Sequence, residues 1–264
     1  IYIATSKRIQ DKLTNLRYII FGGEVLSLSQ LKPWINYYGD DQPKLINMYG
    51  ITETTVHTTY NRISKQELYK NSYIGKKISD LKAYVLSTTF NPLPVGAIGE
   101  LYIGGAGLAR GYLNRPDLTA EKFIANPFQS EEERKDKSYG IAGRNSRLYR
   151  TGDLVRWLPD GNLEYIGRND FQVKIRGYRI ELGEIENALL GYEGIKQSVV
   201  LVKEHQNPTN ENTVSNKYLV GYYVSDNKLE EESVRNYLQG KLPEYMVPHF
   251  LIHLDKLPLT INGK

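Results

Sequence analysis

Tyr49-Gly50-Ile51-Thr52-Glu53 puts four kinds of chemistry into five positions: a ring that stacks, a glycine that turns, a hydroxyl that donates and a carboxylate that chelates. Residues 44–48 before it read as a short strand, so the loop falls at a strand's carboxyl end. Upstream, residues 16–21 (LRYIIF) read as a buried strand that opens at Gly22-Gly23-Glu24 into a tight loop. Ser27 is placed to cap a helix running through Leu31 toward Tyr38, with Pro33 near its first turn. A strand, a helix and a strand with polar loops after both strands is the arrangement in which open α/β sheets bind ligands.

Other candidate groups are ambiguous when taken singly. Glu53 alone reads as a solvated acid, and Asp153 after Thr151-Gly152 reads as a turn or cap residue. Gly263-Lys264 is no phosphate loop, because the upstream glycine of GxxxxGK is absent. Gly104-Gly105-Ala106-Gly107 lacks GxGxxG spacing and a following helix, so it is expected to be a structural bend. Residues 167–186 (GRNDFQVKIRGYRIELGEIE) carry more charge than a simple connection needs. There Phe171, Val173 and Ile175 alternate with Gln172, Lys174 and Arg176, which predicts a strand with one apolar and one basic row until Gly177 breaks it. From Glu181 the period becomes helical: Leu182, Ile185 and Leu189 share a face, and Glu181, Glu184 and Glu186 crowd the first turn. Arg168-Asn169-Asp170 ends the preceding segment, and Asp170 is expected to be a seam between two domains.

The elements that must position these groups turn to β from Ile74 onward, with short strands at residues 83–86 and 100–103. Asp117 or Thr119 is expected to cap a helix containing Ala120, Phe123 and Ile124. Residues 129–147 have little to bury and read as a surface insertion. Pro159-Asp160-Gly161-Asn162 predicts a hairpin turn between strands at 154–158 and 163–166. Strands at 198–202, 218–224 and 250–254, a polar loop at 204–217 and a helix at 229–242 complete a small α+β domain. The chain has 264 residues, 40% hydrophobic and 24% charged, enough for one large or two modest cores. A net charge of +4, with acids and bases interspersed, argues against a nucleic-acid binder. No apolar run reaches about 18 residues, and the first residues lack signal-peptide order. The absence of cysteine excludes disulfides and thiol catalysis and fits a cytoplasmic protein.

The order of these segments says more than any one of them. NMYGITE at 47–53, GELYIGGAGLARGYL at 99–113, YRTGDL at 149–154, the stretch 167–186, LPEYMVP at 242–248 and NGK at 262–264 together closely resemble the adenylate-forming superfamily. Within it they resemble the amino-acid adenylation domains of nonribosomal peptide synthetases. The resemblance, which runs from about Leu16 to the last residue, implies a mixed α/β and α+β fold. Residues 1–169 would be the C-terminal part of a large adenylation domain, with sheet layers and a barrel-like subdomain, and residues 170–264 a small mobile α+β lid. The family's phosphate loop, rich in Gly, Ser and Thr, has no counterpart here. The chain is therefore expected to be an incomplete piece, inactive alone.

The resemblance also implies roles: an amino acid is joined to the α-phosphate of ATP with Mg²⁺ and then passed to a phosphopantetheine thiol. Asn47 and Tyr49 would address adenine, with Gly50 beside them in the nucleotide site, Thr52 the α-phosphate and Glu53 the Mg²⁺. Asp153 would accept from the ribose hydroxyls, Tyr165 would pack by the nucleotide, and Arg168 would sit near ribose or phosphate. Lys264 would reach the substrate carboxylate and bridging oxygen. Asp170 would be the hinge, and Lys174 and Gly177 would lie on the face presented for thioester formation. Ile20, Gly22, Met48, Val56 and His57 match pocket positions, and their order resembles the pattern associated with threonine: apolar groups to enclose a methyl and a histidine to meet a hydroxyl. Implied partners are a carrier domain after the last residue and, in some members, an MbtH-like protein near residues 117–123. Two other readings stay open: a stand-alone ligase for acyl-CoA or a carrier protein, and a non-catalytic nucleotide-binding or docking module.

Overall fold

The computed structural model describes residues 15–69, 73–136, 145–170, 172–205 and 216–258. The chain divides into two compact units, residues 1–170 and 171–264.

In the first unit β1 (Tyr18–Phe21) lies parallel to β2 (Lys44–Tyr49), pairing Ile20 with Ile46 and Phe21 with Asn47. Between them runs a 3₁₀ turn at Leu28–Leu31 and then α1 (Lys32–Tyr38). The expected single helix capped by Ser27 is thus divided, and Ser27 makes no capping bond; its hydroxyl lies 3.1 Å from that of Ser29. Pro33 falls in the first turn of α1, where its missing N–H costs nothing. Leu31, Trp34 and Ile35 bury one face of β1 and β2 through Leu45 and Phe21. Because strand side chains alternate, Ile20, Gly22 and Met48 are left on the opposite face.

β3 (Thr59–Ile63) pairs antiparallel with β2, and β4 (Tyr73–Lys77) with β3. The sheet continues through β9 (Leu163–Arg168), β8 (Arg147–Trp157), β6 (Gly99–Gly105) and β5 (Leu81–Leu86). Leu81, Val85, Leu101, Ile103, Val155 and Leu163 form its core. The hairpin between β8 and β9 turns where expected, with Gly161 at φ 77° and Asn162 N–H donating to Asp160 at 3.0 Å. The Gly104 region ends a strand and turns back, as expected of a bend.

One expectation fails between β6 and β8 and another is qualified. The helix near Asp117 is α2 (Pro116–Lys122), capped by neither candidate side chain, and Phe123 and Ile124 belong to a strand, β7 (Phe123–Ala125), on β8. Asp117 instead pairs with Arg115, and the Thr119 hydroxyl accepts from Tyr112 N–H at 2.9 Å. The expected surface insertion contains α3 (Glu131–Lys135), opened by a capping box between Ser130 and Glu133. Glu133 and Asn145 are buried, the latter donating to the former at 3.3 Å.

In the second unit β10 (Gln172–Ile175) pairs antiparallel with β11 (Tyr178–Glu181), a strand the sequence reading missed. Arg176 and Gly177, at φ 53° and 80°, make the two-residue turn. Gln172 lies not on a solvated basic row but buried, donating to Glu181 across the hairpin. α4 (Leu182–Leu190) buries Leu182, Ile185 and Leu189 as expected. Of the three acids assigned to its start only Glu184 lies in the first turn; Glu186 faces the sheet and accepts Val200 N–H at 2.9 Å. β12 (Gln197–His205), β13 (Asn216–Val224) and β14 (Phe250–Leu254) form a mixed sheet, with α5 (Glu231–Gln239) adding Val234 and Leu238 to the core. Ile185→Ala, at a fully buried position, is expected to cost about 2–5 kcal/mol in urea denaturation of the full-length polypeptide.

Candidate functional site

Asp153 sits where β8 departs from regular pairing. Against β6 the register runs Glu100 with Leu154 and then Tyr102 with Arg150, so β8 carries extra residues between those pairs. Such a bulge re-aims side chains. Gly152, at φ 75°, makes it possible. The bulge is fastened by polar groups: Gly152 N–H donates to Glu100 at 3.1 Å, the Thr151 hydroxyl donates to the Leu101 carbonyl at 2.7 Å, and Asp153 N–H donates to Thr151 at 3.0 Å. Glu100 is held in turn by the Arg150 guanidinium at 2.9 and 3.1 Å.

The Asp153 carboxylate is 2% exposed, so the isolated reading of a turn or cap residue is incomplete. Its Oδ2 accepts the Tyr49 hydroxyl, and its Oδ1 accepts Arg168 at 2.9 Å from the facing position on β9. The second arm of Arg168 reaches Asp170. Burial opposes the Arg168 charge, but Asp170 and Asp153 outweigh it and raise its pKa. Burial, then the charge of Asp153, pushes the Tyr49 phenol well above its ordinary ionisation range, so it stays a donor. Tyr165 rises to about 12 for the same reasons, and its ring lies 6.5 Å from that of Tyr49. Asn47, also buried, donates to the Tyr73 carbonyl at 2.7 Å.

Glu53 is not the solvated acid its position alone suggests: it is 6% exposed, within a 3₁₀ turn at Thr52–Thr54. Its Oε1 accepts the hydroxyls of Tyr112 at 2.6 Å and Tyr149 at 3.0 Å, neither singled out from the sequence although both lie in its motifs. A buried acid needs donors, but the burial of Glu53 follows from contacts distant in sequence, so no local signal marked these two. Thr52 is exposed beside it. Among the described residues no group of three or more metal-ligating side chains converges. A divalent cation at Glu53 would therefore take most of its oxygen ligands from phosphate and water, which suits Mg²⁺ carried by a nucleotide.

Of the candidate pocket residues, Gly22, Met48 and His57 lie close together. A Cβ built on Gly22 would lie 3.3 Å from the Met48 carbonyl and 3.9 Å from the His57 ring. Ile20 and Val56 are 57% and 61% exposed. Lys174 is half-buried and Gly177 exposed, both in the second unit; Lys264 lies outside the described residues.

Residues 2–113 match the sequence model of the AMP-binding enzyme, and residues 184–264 that of the AMP-binding enzyme C-terminal domain. The dimodular nonribosomal peptide synthase of Bacillus subtilis is 48% identical over 253 residues, covering 95% of this chain and 10% of that protein. Malpinin synthetase of Mortierella alpina is 45% identical over 267 residues, covering 95% of this chain and 3% of that protein. The chain thus spans a small part of these relatives. Among solved structures, a nonribosomal peptide synthetase protein containing adenylation and PCP domains, bound to a vinylsulfonamide inhibitor, superposes with a TM-score of 0.76 at 29% identity, covering 96% of this chain and 40% of that one. An adenylation domain of Vibrio cholerae in complex with glycyl-adenosine-5'-phosphate gives 0.74 at 24% identity, covering 96% and 44%, a likeness of fold.

Proposed function

The chain belongs to the AMP-binding enzyme family, as part of an adenylation domain of the nonribosomal peptide synthetase type, and from this we propose that it helps activate L-threonine as the aminoacyl adenylate for transfer to a carrier-bound thiol. The observation that carries the reading is the buried Tyr49–Asp153–Arg168 chain, together with the buried Glu53 held by two phenols. Asp153 grips the ribose, Asn47, Tyr49, Gly50 and Tyr165 frame the base, and Arg168 stands toward ribose or phosphate. Thr52 donates to the α-phosphate. When bound, Mg²⁺ offsets charge on the phosphates, with Glu53 as its protein ligand. Lys264 supplies a positive charge at the reacting oxygens.

Ile20, Gly22, Met48, Val56 and His57 enclose the amino-acid side chain; the proximity of Gly22, Met48 and His57 supports that grouping. Residues 170–264 act as the lid, turning about Asp170 to bring Lys174 and Gly177 forward for thiolation. The superposed adenylation and PCP protein supports a phosphopantetheine-bearing carrier domain as partner. An MbtH-like protein is a further candidate partner for residues 117–123.

Pyrophosphate exchange by the full-length polypeptide across the amino acids tests the substrate. Threonine is expected to lead, and His57→Ala to lower its advantage over valine by about 10-fold or more, as a site that hydrogen-bonds a hydroxyl discriminates strongly. Valine or serine outrunning threonine overturns the assignment.

A further inference from the structure

Glu53 is gripped more elaborately than a lone buried acid requires. Two segments distant in sequence converge on its Oε1: the loop after β6 brings Tyr112 and β8 brings Tyr149. Phe123 of β7 packs against both rings, 5.8 Å from that of Tyr112 and 4.9 Å from that of Tyr149. The two phenolic oxygens are 3.1 Å apart. A phenol carries one proton, so both can donate to Glu53 only if neither donates to the other.

The loop delivering Tyr112 is itself tied to the acid. Ala109 N–H donates to the Glu53 carbonyl at 2.9 Å, and Arg147 holds the Arg110 and Ala109 carbonyls at 2.8 and 3.0 Å while lying over Phe123. Beyond Gly111, Tyr112 N–H is fixed on Thr119.

We propose that Tyr112 and Tyr149 are positioning residues that saturate one oxygen of Glu53 and so aim its carboxylate at the nucleotide-borne divalent cation. The inference rests on the reading of Glu53 as the cation's protein ligand. Neutral donors suit the task of aiming such a carboxylate, since a lysine or arginine in their place would compete with the cation for the same charge. A phenol pair meets that need, supplying direction without a compensating charge.

The test uses the full-length polypeptide and Mn²⁺ with a non-hydrolysable ATP analogue, reading bound Mn²⁺ by electron paramagnetic resonance. Nucleotide affinity in EDTA is measured beside it. Tyr112→Phe and Tyr149→Phe are each expected to weaken Mn²⁺ binding by about 10-fold or more, with metal-free nucleotide affinity unchanged. Glu53→Gln is the reference. If Glu53→Gln weakens Mn²⁺ binding and the phenylalanine variants do not, the positioning role is overturned and the reading of Glu53 stands. If Glu53→Gln leaves Mn²⁺ binding unchanged, that reading falls and takes the positioning role with it. Should Tyr149→Phe lower the melting temperature, the half-buried Tyr112→Phe decides, and 3-fluorotyrosine at 112, which alters phenol acidity but barely its shape, must shift the Mn²⁺ affinity for the role to hold.

Discussion

Asp153→Asn is expected to weaken ATP binding by about 10²-fold while leaving the polypeptide folded. Both oxygens of the native carboxylate are engaged, Oδ2 by the Tyr49 hydroxyl and Oδ1 by Arg168. Asparagine keeps one acceptor and turns its amide either toward Arg168, donor against donor, or toward Tyr49, whose hydroxyl can accept as well as donate. The second arrangement preserves the fold. On the proposed role of Asp153, what disappears is a charge-assisted acceptor for ribose, about 1.5–3 kcal/mol, and at about 1.4 kcal/mol per decade the upper part of that range is a hundredfold. Asp153→Ala goes further, leaving a buried phenol and a largely buried guanidinium facing a void. It is expected to cost about 3 kcal/mol of stability, the low end for a broken buried pair, because Arg168 retains Asp170. Calorimetric titration with an ATP analogue and urea denaturation read the two effects separately. Binding by Asp153→Asn within twofold of the parent would mean that the carboxylate serves Tyr49 and Arg168 alone.

The parts of this fold legible in the sequence are those set by neighbours along the chain. Pro159 to Asn162 names its own turn, since proline fixes φ and Gly161 accepts a positive φ. Leu182, Ile185 and Leu189 name the buried face of α4 by spacing alone. The failures share a different cause: their determinants are distant. Phe123 and Ile124 continue a helical pattern, yet pairing with Tyr149 and Leu148 draws them into a strand. Tyr178-Arg179-Ile180-Glu181 alternates over only four residues directly before a helix, too short a run to stand out, and its pairing with β10 makes it a strand. Gln172 reads as one of a basic row until Glu181, nine positions on, is placed across from it.

The same division runs through the site. Tyr49, Glu53, Asp153 and Arg168 were named through motifs, but the motifs do not say that a register shift in β8 turns Asp153 toward Tyr49, 104 positions away. Nor do they say why Glu53 is buried. Tyr112 and Tyr149 are 59 and 96 positions from Glu53, and no local period marks them as its donors. Chemistry was legible as a set of residue types, whereas the aim of each group depends on contacts between strands far apart in sequence.

Gly50→Ala is expected to disable nucleotide and amino-acid recognition together, which no substitution confined to either site should do. The glycine lies between Tyr49 and Ile51, and its need is space: an added Cβ would lie 2.1 Å from the Val56 carbonyl oxygen, 2.8 Å from His57 Cα and 2.8 Å from Thr58 N. All three are backbone atoms, and they are fixed there because Thr58 N–H donates to the Tyr49 carbonyl at 2.7 Å while Val56 N–H donates to the Ile51 carbonyl at 3.1 Å. No rotamer change relieves the clash, so the loop must open. Opening it displaces Thr52 and Glu53 at one end and Val56 and His57 at the other, and a shift near 1 Å can itself cost about 10²-fold in rate. Overpacking of this kind typically costs about 1–3 kcal/mol, and breaking the two closing hydrogen bonds adds to it. Pyrophosphate exchange by the full-length variant is expected to fall at least 10²-fold, with faster amide hydrogen exchange confined to residues 50–58. Loss of amino-acid selectivity with ATP binding retained would show that the two halves of the loop move independently, contrary to the packing around Gly50.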